Sequence, residues 1–214
     1  MAAPSASPAI PAGRPARLPR PARRKQLLAA ALEVFVAQGY HAAAMDDIAE
    51  RAGVSKPVLY QHFPGKLELY LALLDTHADG LVQRVRDAME ATSDNAERVH
   101  NAISAYFDFV DGTGSELEGA FRLVFESDLR NEPAVRERVA LASRLSMEAI
   151  ADTIAADTGL PRPQAELLSM ALIGLSETGA RWWLGSGPAV PKAEAIRLLE
   201  TLAWRGISNF PRQA

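Results

Sequence analysis

The stretch GYHAAAMDDIAERAGVSKPVLYQHFPGK, residues 39–66, decides how this chain is read. It opens on Gly39 and closes on Pro64–Gly65, residues that stop helices. Between them lie two short helical segments, one from about Met45 to Ala52 and one from Ser55 to Phe63. They meet at a turn containing Gly53, across which Ile48, Ala49, Ala52 and Val54 offer small apolar packing. Two short helices joined by a glycine corner have the layout of a helix-turn-helix.

On a helical wheel, at about 100° per residue, the second segment divides into two faces. Lys56, Pro57, Tyr60 and Gln61 share one face, and Val58, Leu59, His62 and Phe63 share the other. Ser55 is placed to cap the segment, and Pro57 sits in the first turn, where its missing N–H is no loss. A helix start also attracts phosphate through its free N–H groups. The polar face suits the major groove: Gln61 can meet a base edge and Lys56 a guanine or a phosphate. Tyr60 and Lys66 are candidates for phosphate contacts. An ordinary solvated helix face is the competing reading. The glycine-turn spacing and the surrounding charge favour nucleic acid.

That charge is unevenly distributed. The net charge is −3, yet residues 1–75 carry nine Lys/Arg against six Asp/Glu, and residues 76–214 carry fourteen against twenty. Residues 1–22 hold six prolines, three arginines (Arg14, Arg17 and Arg20) and no acid. Proline at that density denies a helix its donors, so the segment is expected to be a disordered basic arm. Its arginines suit a DNA backbone or minor groove. The prolines argue against an amphipathic transit peptide and no apolar secretion core is present, so a cytoplasmic protein is expected.

Other functions are excluded by composition. The 214 residues include no cysteine, which rules out disulfides, thiolate metal sites and a cysteine nucleophile. His41, His62, His77 and His100 have no metal-ligand spacing on a helix, so no metal site is expected. No apolar run reaches the roughly 18 residues needed to span a bilayer. Residues 76–214 contain no HExxH, P-loop, GxGxxG or Ser/His/Asp arrangement, so neither catalysis nor a cofactor is expected.

The rest of the chain is helical in pattern, and the expected class is all-α with about nine helices. Leu27, Leu28, Ala31, Leu32 and Phe35 set the first helix, which Gly39 stops. A long helix starts near Lys66. Asp94 with Glu97 reads as a capping box, and Gly112 ends that helix. A further helix is expected over about 118–131. Pro133, Pro161 with Pro163, and Pro191 open three more, which end at Gly159, Gly185 and Gly206. Apolar stripes run along these helices: Ile103, Tyr106, Phe107 and Val110; Phe121, Val124, Phe125 and Leu129; Leu141, Leu145 and Ile150; Leu168, Leu172 and Ile173. Such stripes are more often packed core than a ligand site. Trp182, Trp183 and Trp204 all fall in the last two helices, where they are either core or interface.

The segment Arg23 to about Leu74, and AGVSKPVLYQHFPGK (52–66) above all, resembles the N-terminal domain of the TetR family of bacterial transcription regulators. The resemblance implies a DNA-binding domain at 23–75, with its helix-turn-helix at about 44–63. It also implies an effector-binding and dimerisation bundle at 76–214. By position it makes Ser55, Lys56, Pro57, Tyr60, Gln61, His62 and Lys66 the DNA contacts. It turns His62 towards a phosphate, against the wheel. It favours a small hydrophobic effector among Ile103, Tyr106, Phe107, Phe121, Val124, Phe125, Leu145 and Leu172. It implies a homodimer bound to a palindromic operator, and the tryptophan content of the last two helices places the expected interface there, at Leu175, Trp182, Trp183, Leu199 and Trp204. Family members often place Thr or Ser where this chain has Ala43 and Ala44, so that capping phosphate contact is not expected here. FRLVFESDLRNEPAV (121–135), ARWWL (180–184) and AWRGIS (203–208) are further similar to FasR-type actinobacterial regulators of fatty-acid synthesis. That similarity implies long-chain acyl-CoA as effector. A TetR-like repressor of efflux or catabolic genes, and a helical ligand carrier without a DNA role, are the alternatives.

Overall fold

The computed structural model describes residues 18–112, 129, 131–186 and 189–206. Among them eight helices follow in order: α1 (Arg20–Ala42), α2 (Met45–Arg51), α3 (Lys56–His62), α4 (Lys66–Glu90), α5 (Asn95–Asp111), α6 (Pro133–Thr158), α7 (Arg162–Gly185) and α8 (Lys192–Arg205). No strand occurs among the described residues. The helix expected over 118–131 lies almost wholly outside the described residues.

Proline and glycine set most of the helix ends. Pro161 and Pro191 stand at the N-caps of α7 and α8, and Pro133 occupies the first turn of α6. Gly112 and Gly159 close α5 and α6 at φ 56° and 71°, the left-handed region where a side chain would be strained. α1 departs from expectation at its start. It begins at Arg20, so residues 20–22 belong to a helix rather than to the arm. The reason is local: Pro21 sits in the first turn, where no N–H is required. Gly39, at φ 76° and ψ 162°, breaks the helical path where the stop was expected.

The α5 cap also differs from the simple box. Asp94 accepts from the N–H groups of Ala96 (2.8 Å) and Glu97 (3.4 Å). The Glu97 carboxylate does not return to Asp94 but accepts from the Thr92 hydroxyl at 2.7 Å. Thr92 Oγ1 in turn accepts from Asp94 N–H at 3.1 Å, so one hydroxyl relays the reciprocal bond.

α1, α2 and α3 form a small domain that rests on the first turns of α4. Phe35 and Tyr40 of α1 meet Tyr70 of α4 edge-on, with ring centroids 5.4 and 5.2 Å apart. The remaining length of α4 packs against α5 and α6, α7 lies on α5 and α6, and α8 lies on α5 and α7. Ser169 on α7 donates to the Met147 carbonyl of α6 at 2.8 Å. α8 approaches α7 closely because Gly179 has no side chain, and a Cβ there would collide with Leu199. Lys192 ties α8 to α5 through Asp108 (2.7 Å) and Asp111 (2.8 Å). Among the described residues no helix is long and apolar enough to cross a membrane.

Candidate functional site

The α2–α3 corner is fixed from several sides. Gly53 has φ 64°, which only glycine adopts without strain. Its N–H donates to Glu50 O at 2.9 Å, and Val54 N–H donates to Ala49 O at 3.0 Å. Gln26 of α1 reaches across to donate to Ala52 O at 2.7 Å. Arg51 of α2 pairs with Glu33 of α1. Leu59 and Phe63 bury against this scaffold at 0% and 2% exposure, which sets the rotation of α3.

That rotation turns Ser55, Lys56, Pro57, Tyr60 and Gln61 to the outside, with Tyr60 46% exposed. Ser55 is the N-cap residue, but its hydroxyl makes no capping bond. Lys56 is paired with Asp46 of α2 at 2.6 Å, and both side chains are exposed. Ala44 caps α2 without a side-chain bond, so Asp46 and Asp47 supply the negative charge that this helix start favours.

His62 settles between the two sequence readings. It is half-buried and lines a notch of about 470 Å³ with Leu18, Arg20, Arg23, Val58 and Gln61. Desolvation, and then the charges of Arg20, Arg24 and Arg23, hold its imidazole below the usual histidine range. Arg24 itself lies over the Phe63 ring, 4.4 Å from the centroid. The first turn of α1 therefore brings a row of arginines beside the end of α3.

Lys66, expected at a phosphate, turns inward in this structure. Its ammonium donates inward, to the carbonyls of Tyr40 (2.8 Å), His41 (3.2 Å) and Ala43 (2.8 Å). It also lies 4.5 Å from the centre of the Tyr40 ring. Its three hydrogens hold the end of α1 rather than reaching out, because those carbonyls lie past the Gly39 break and lack helical partners.

The second feature is a cavity of about 450 Å³ between α5, α6, α7 and α8. Ile103, Tyr106 and Leu172, three of the residues expected around an effector, line it. Ile150, Ile154, Leu168, Leu175 and Trp204 complete its apolar wall. Burial pushes the Tyr106 hydroxyl well above the usual phenol range, so it is neutral and serves as a hydrogen-bond group with Ser146. Phe107 and Leu145 do not line the cavity. Phe107 lies one residue, about 100°, round α5 from Tyr106 and packs on Trp183 with ring centroids 5.5 Å apart. Leu145 is half-buried on α6, rotated by the same step from the Ser146 that meets Tyr106. Phe121, Val124 and Phe125 lie outside the described residues.

Residues 27–73 match the model for bacterial regulatory proteins of the tetR family. Over 195 residues the chain is 47% identical to the HTH-type transcriptional activator FasR of Mycolicibacterium smegmatis, spanning 91% of this chain and 87% of that protein. The chain belongs to the TetR family. It is a TetR-family DNA-binding transcription regulator, and that family is not one of enzymes. A TetR-like regulator from Rhodococcus sp. RHA1 has a similar structure: TM-score 0.70, 29% identity, 91% of this chain and 100% of that one. The regulator FadR of Bacillus subtilis, solved in complex with stearoyl-CoA, shares the fold at 20% identity. Its TM-score is 0.69, over 86% of this chain and 98% of that one.

The TetR-family interface residues expected on α7 and α8 divide in the structure. Trp182 is 63% exposed and Trp204 51%. Leu167 and Met170 extend the exposed apolar stripe of α7 at 71% and 49%. The other three residues are used within the protomer. Trp183 donates from Nε1 to Val190 O at 2.8 Å and packs on Phe107. Leu199 fills the space over Gly179, and Leu175 lines the cavity, as Trp204 also does.

Sequence reasoning missed Arg23 as a neighbour of the α3 face and placed Arg20 in the arm. A helical proline start at Pro21 was the available signal. It also missed Arg98 and Asp157 at the cavity, for which the sequence offers no local sign.

Proposed function

We propose that this protein is a homodimeric, sequence-specific regulator whose operator affinity changes when a hydrophobic effector, a long-chain acyl-CoA, occupies the α5–α8 cavity. The genes it controls are those of fatty-acid synthesis. The observation that carries this reading is one molecule holding both an outward, scaffolded α3 and an apolar cavity of about 450 Å³ alongside α4. Its similarity to a FasR activator, and the fold it shares with a regulator solved with stearoyl-CoA, support the choice of effector.

In this mechanism α3 of each protomer enters a major groove, with palindromic half-sites about one helical turn apart. Gln61 reads a base edge. Lys56, Tyr60 and His62, with Arg20 and Arg23, meet phosphates, and Ser55 and Pro57 bring the start of α3 against the backbone. The α7 stripe with Trp182 faces its copy across a two-fold axis. An effector acts through its different affinity for two dimer shapes, which differ in the spacing of the two α3 helices. A hundredfold change in operator affinity requires about 2.7 kcal/mol of such coupling.

A gel-shift against DNA from upstream of its own gene, with and without palmitoyl-CoA, tests the proposal. A sequence-specific complex whose midpoint moves with palmitoyl-CoA is expected. Binding that is equal on unrelated DNA of the same length refutes the regulator reading. A specific complex indifferent to palmitoyl-CoA refutes the effector.

A further inference from the structure

α4 starts at Lys66 against the DNA-binding domain and ends at Glu90, about 36 Å away at 1.5 Å per residue. At that far end three helix termini converge on one side chain. Arg98 Nε of α5 donates to the carbonyls of Met89 (3.0 Å) and Thr92 (2.8 Å), where α4 finishes. Its Nη1 donates to Asn95 Oδ1 at 2.9 Å and to the carboxylate of Asp157 in the last turn of α6. Nη2 has no hydrogen-bond partner among the described residues.

Met89, Asn95, Arg98 and Asp157 all line the cavity. Among the described residues lining it, Arg98 is the one cation and Asp157 the one carboxylate. The rest of the wall is mainly aliphatic and aromatic, so the cavity has an apolar body and one charged end. Asp157 is poorly placed without its partner. It lies one residue from the end of α6, where the helix dipole disfavours a carboxylate. Its side chain is 34% exposed and that of Arg98 only 18%, so the carboxylate is the member of the pair that solvent can take.

We infer that Arg98 selects the effector by charge: the cavity takes an amphiphile whose anionic head displaces Asp157 from the guanidinium while its apolar tail lies along α5 and α7. The head is a carboxylate or a phosphate, either of which accepts the forked donation that Nη1 and Nη2 offer. The same guanidinium holds the Met89 carbonyl in the last turn of α4, so the exchange is felt by the helix that carries the DNA-binding domain. This inference rests on the reading of the cavity as the effector site.

Full-length wild type, Arg98→Gln and Asp157→Asn are titrated with palmitate and palmitoyl-CoA below their micelle concentrations and with 1-hexadecanol below its solubility limit, followed by tryptophan emission. Trp204 in the cavity wall supplies the signal. Wild type is expected to prefer an anionic probe over hexadecanol, and Arg98→Gln to lose that preference. Asp157→Asn is expected to tighten the anionic probes by roughly fivefold, the equivalent of releasing one part-exposed ion pair, and to leave hexadecanol unchanged. Palmitate as the tighter anion identifies a carboxylate head, and palmitoyl-CoA as the tighter one identifies phosphates. Equal binding of hexadecanol and both anions by wild type overturns charge selection while leaving the effector site standing. Failure of wild type to bind any probe overturns the effector reading and this inference with it. Should Arg98→Gln lose its cooperative melt, Asp157→Asn, nearly isosteric and part-exposed, decides alone: unchanged anion affinity overturns the inference.

Discussion

Replacing Lys66 by methionine removes three charge-assisted hydrogen bonds while keeping most of the aliphatic stem. The ammonium holds the carbonyls of Tyr40, His41 and Ala43 at 2.8, 3.2 and 2.8 Å. The His41 bond is exposed, so water replaces the ammonium there at little cost. The other two are part-buried. A hydrogen bond to a charged group contributes about 1.5–3 kcal/mol when shielded, and partial exposure reduces the two together to about 2 kcal/mol. For a chain of this size that corresponds to a fall of about 4–8 °C in melting midpoint. The assay is a circular dichroism melt, paired with operator affinity measured over a range of salt. A lysine that touches a DNA phosphate would lower the salt slope by about one and leave the melt unchanged. The inward geometry predicts the reverse: a lower midpoint and an unchanged slope at temperatures where the variant is folded. A wild-type melt with a slope reduced by about one refutes the clamp and restores Lys66 to the DNA interface.

Gln61→Ala is expected to cost about 1–3 kcal/mol on the operator and to relax the preference at one base pair; equal losses at every position in a binding-site scan show that Gln61 reads no base. The His62 imidazole, held below the usual histidine range by desolvation and three arginines, should titrate by NMR below about 6.5 in the free protein. The unfolded chain then binds the proton more readily, so this group's contribution to stability is present above the unfolded value and is lost as pH falls below it through the lower folded value; a midpoint at or above 6.5 contradicts the arginine notch. Trp182→Arg should yield monomers in sedimentation, with a melting midpoint that no longer depends on protein concentration. Trp183→Ala should instead keep the sedimentation profile and lose about 2 kcal/mol, since a half-buried ring forfeits less than the 3–5 kcal/mol of a buried one; a swap of these two outcomes reverses the assignment of the tryptophans.

Most helix ends were legible because they are decided by backbone chemistry within a few residues. Pro133, Pro161 and Pro191 cannot continue a helix but can start one, and Gly112 and Gly159 adopt positive φ. The rotation of α3 was legible for a similar reason, since Leu59 and Phe63 leave Tyr60 and Gln61 only the outside. The side-chain partners were not. Arg98 meets Asp157 across 59 residues, and Lys66 meets carbonyls 23 to 26 residues back. No local pattern marks either pair. The stripe on α5 illustrates the limit between these cases: it placed both Tyr106 and Phe107 inside. Which of the two faces the cavity depends on how α7 and α8 sit, because Trp183 and its bond to Val190 claim Phe107.

The three best-placed cations are held in two different ways, and the difference matters for function. Lys66 is held by main-chain carbonyls, which cannot leave without unwinding the end of α1, so it is a fixed joint between α4 and the DNA-binding domain. Lys56 and Arg98 are each held in part by a carboxylate on an exposed or part-exposed side chain, Asp46 and Asp157. Such a pair contributes about 1 kcal/mol or less, so a ligand anion can take the cation at small cost. In the proposed complex the anion competing at α3 is a DNA phosphate, and the displaced Asp46 would then stand close to the backbone it repels. On that proposal the repulsion would act on every sequence alike, whereas a base contact from Gln61 would be felt on the operator alone. Asp46→Asn is therefore expected to raise affinity for random DNA by at least as much as for the operator. A gain confined to the operator would show that Asp46 does not act by guarding Lys56.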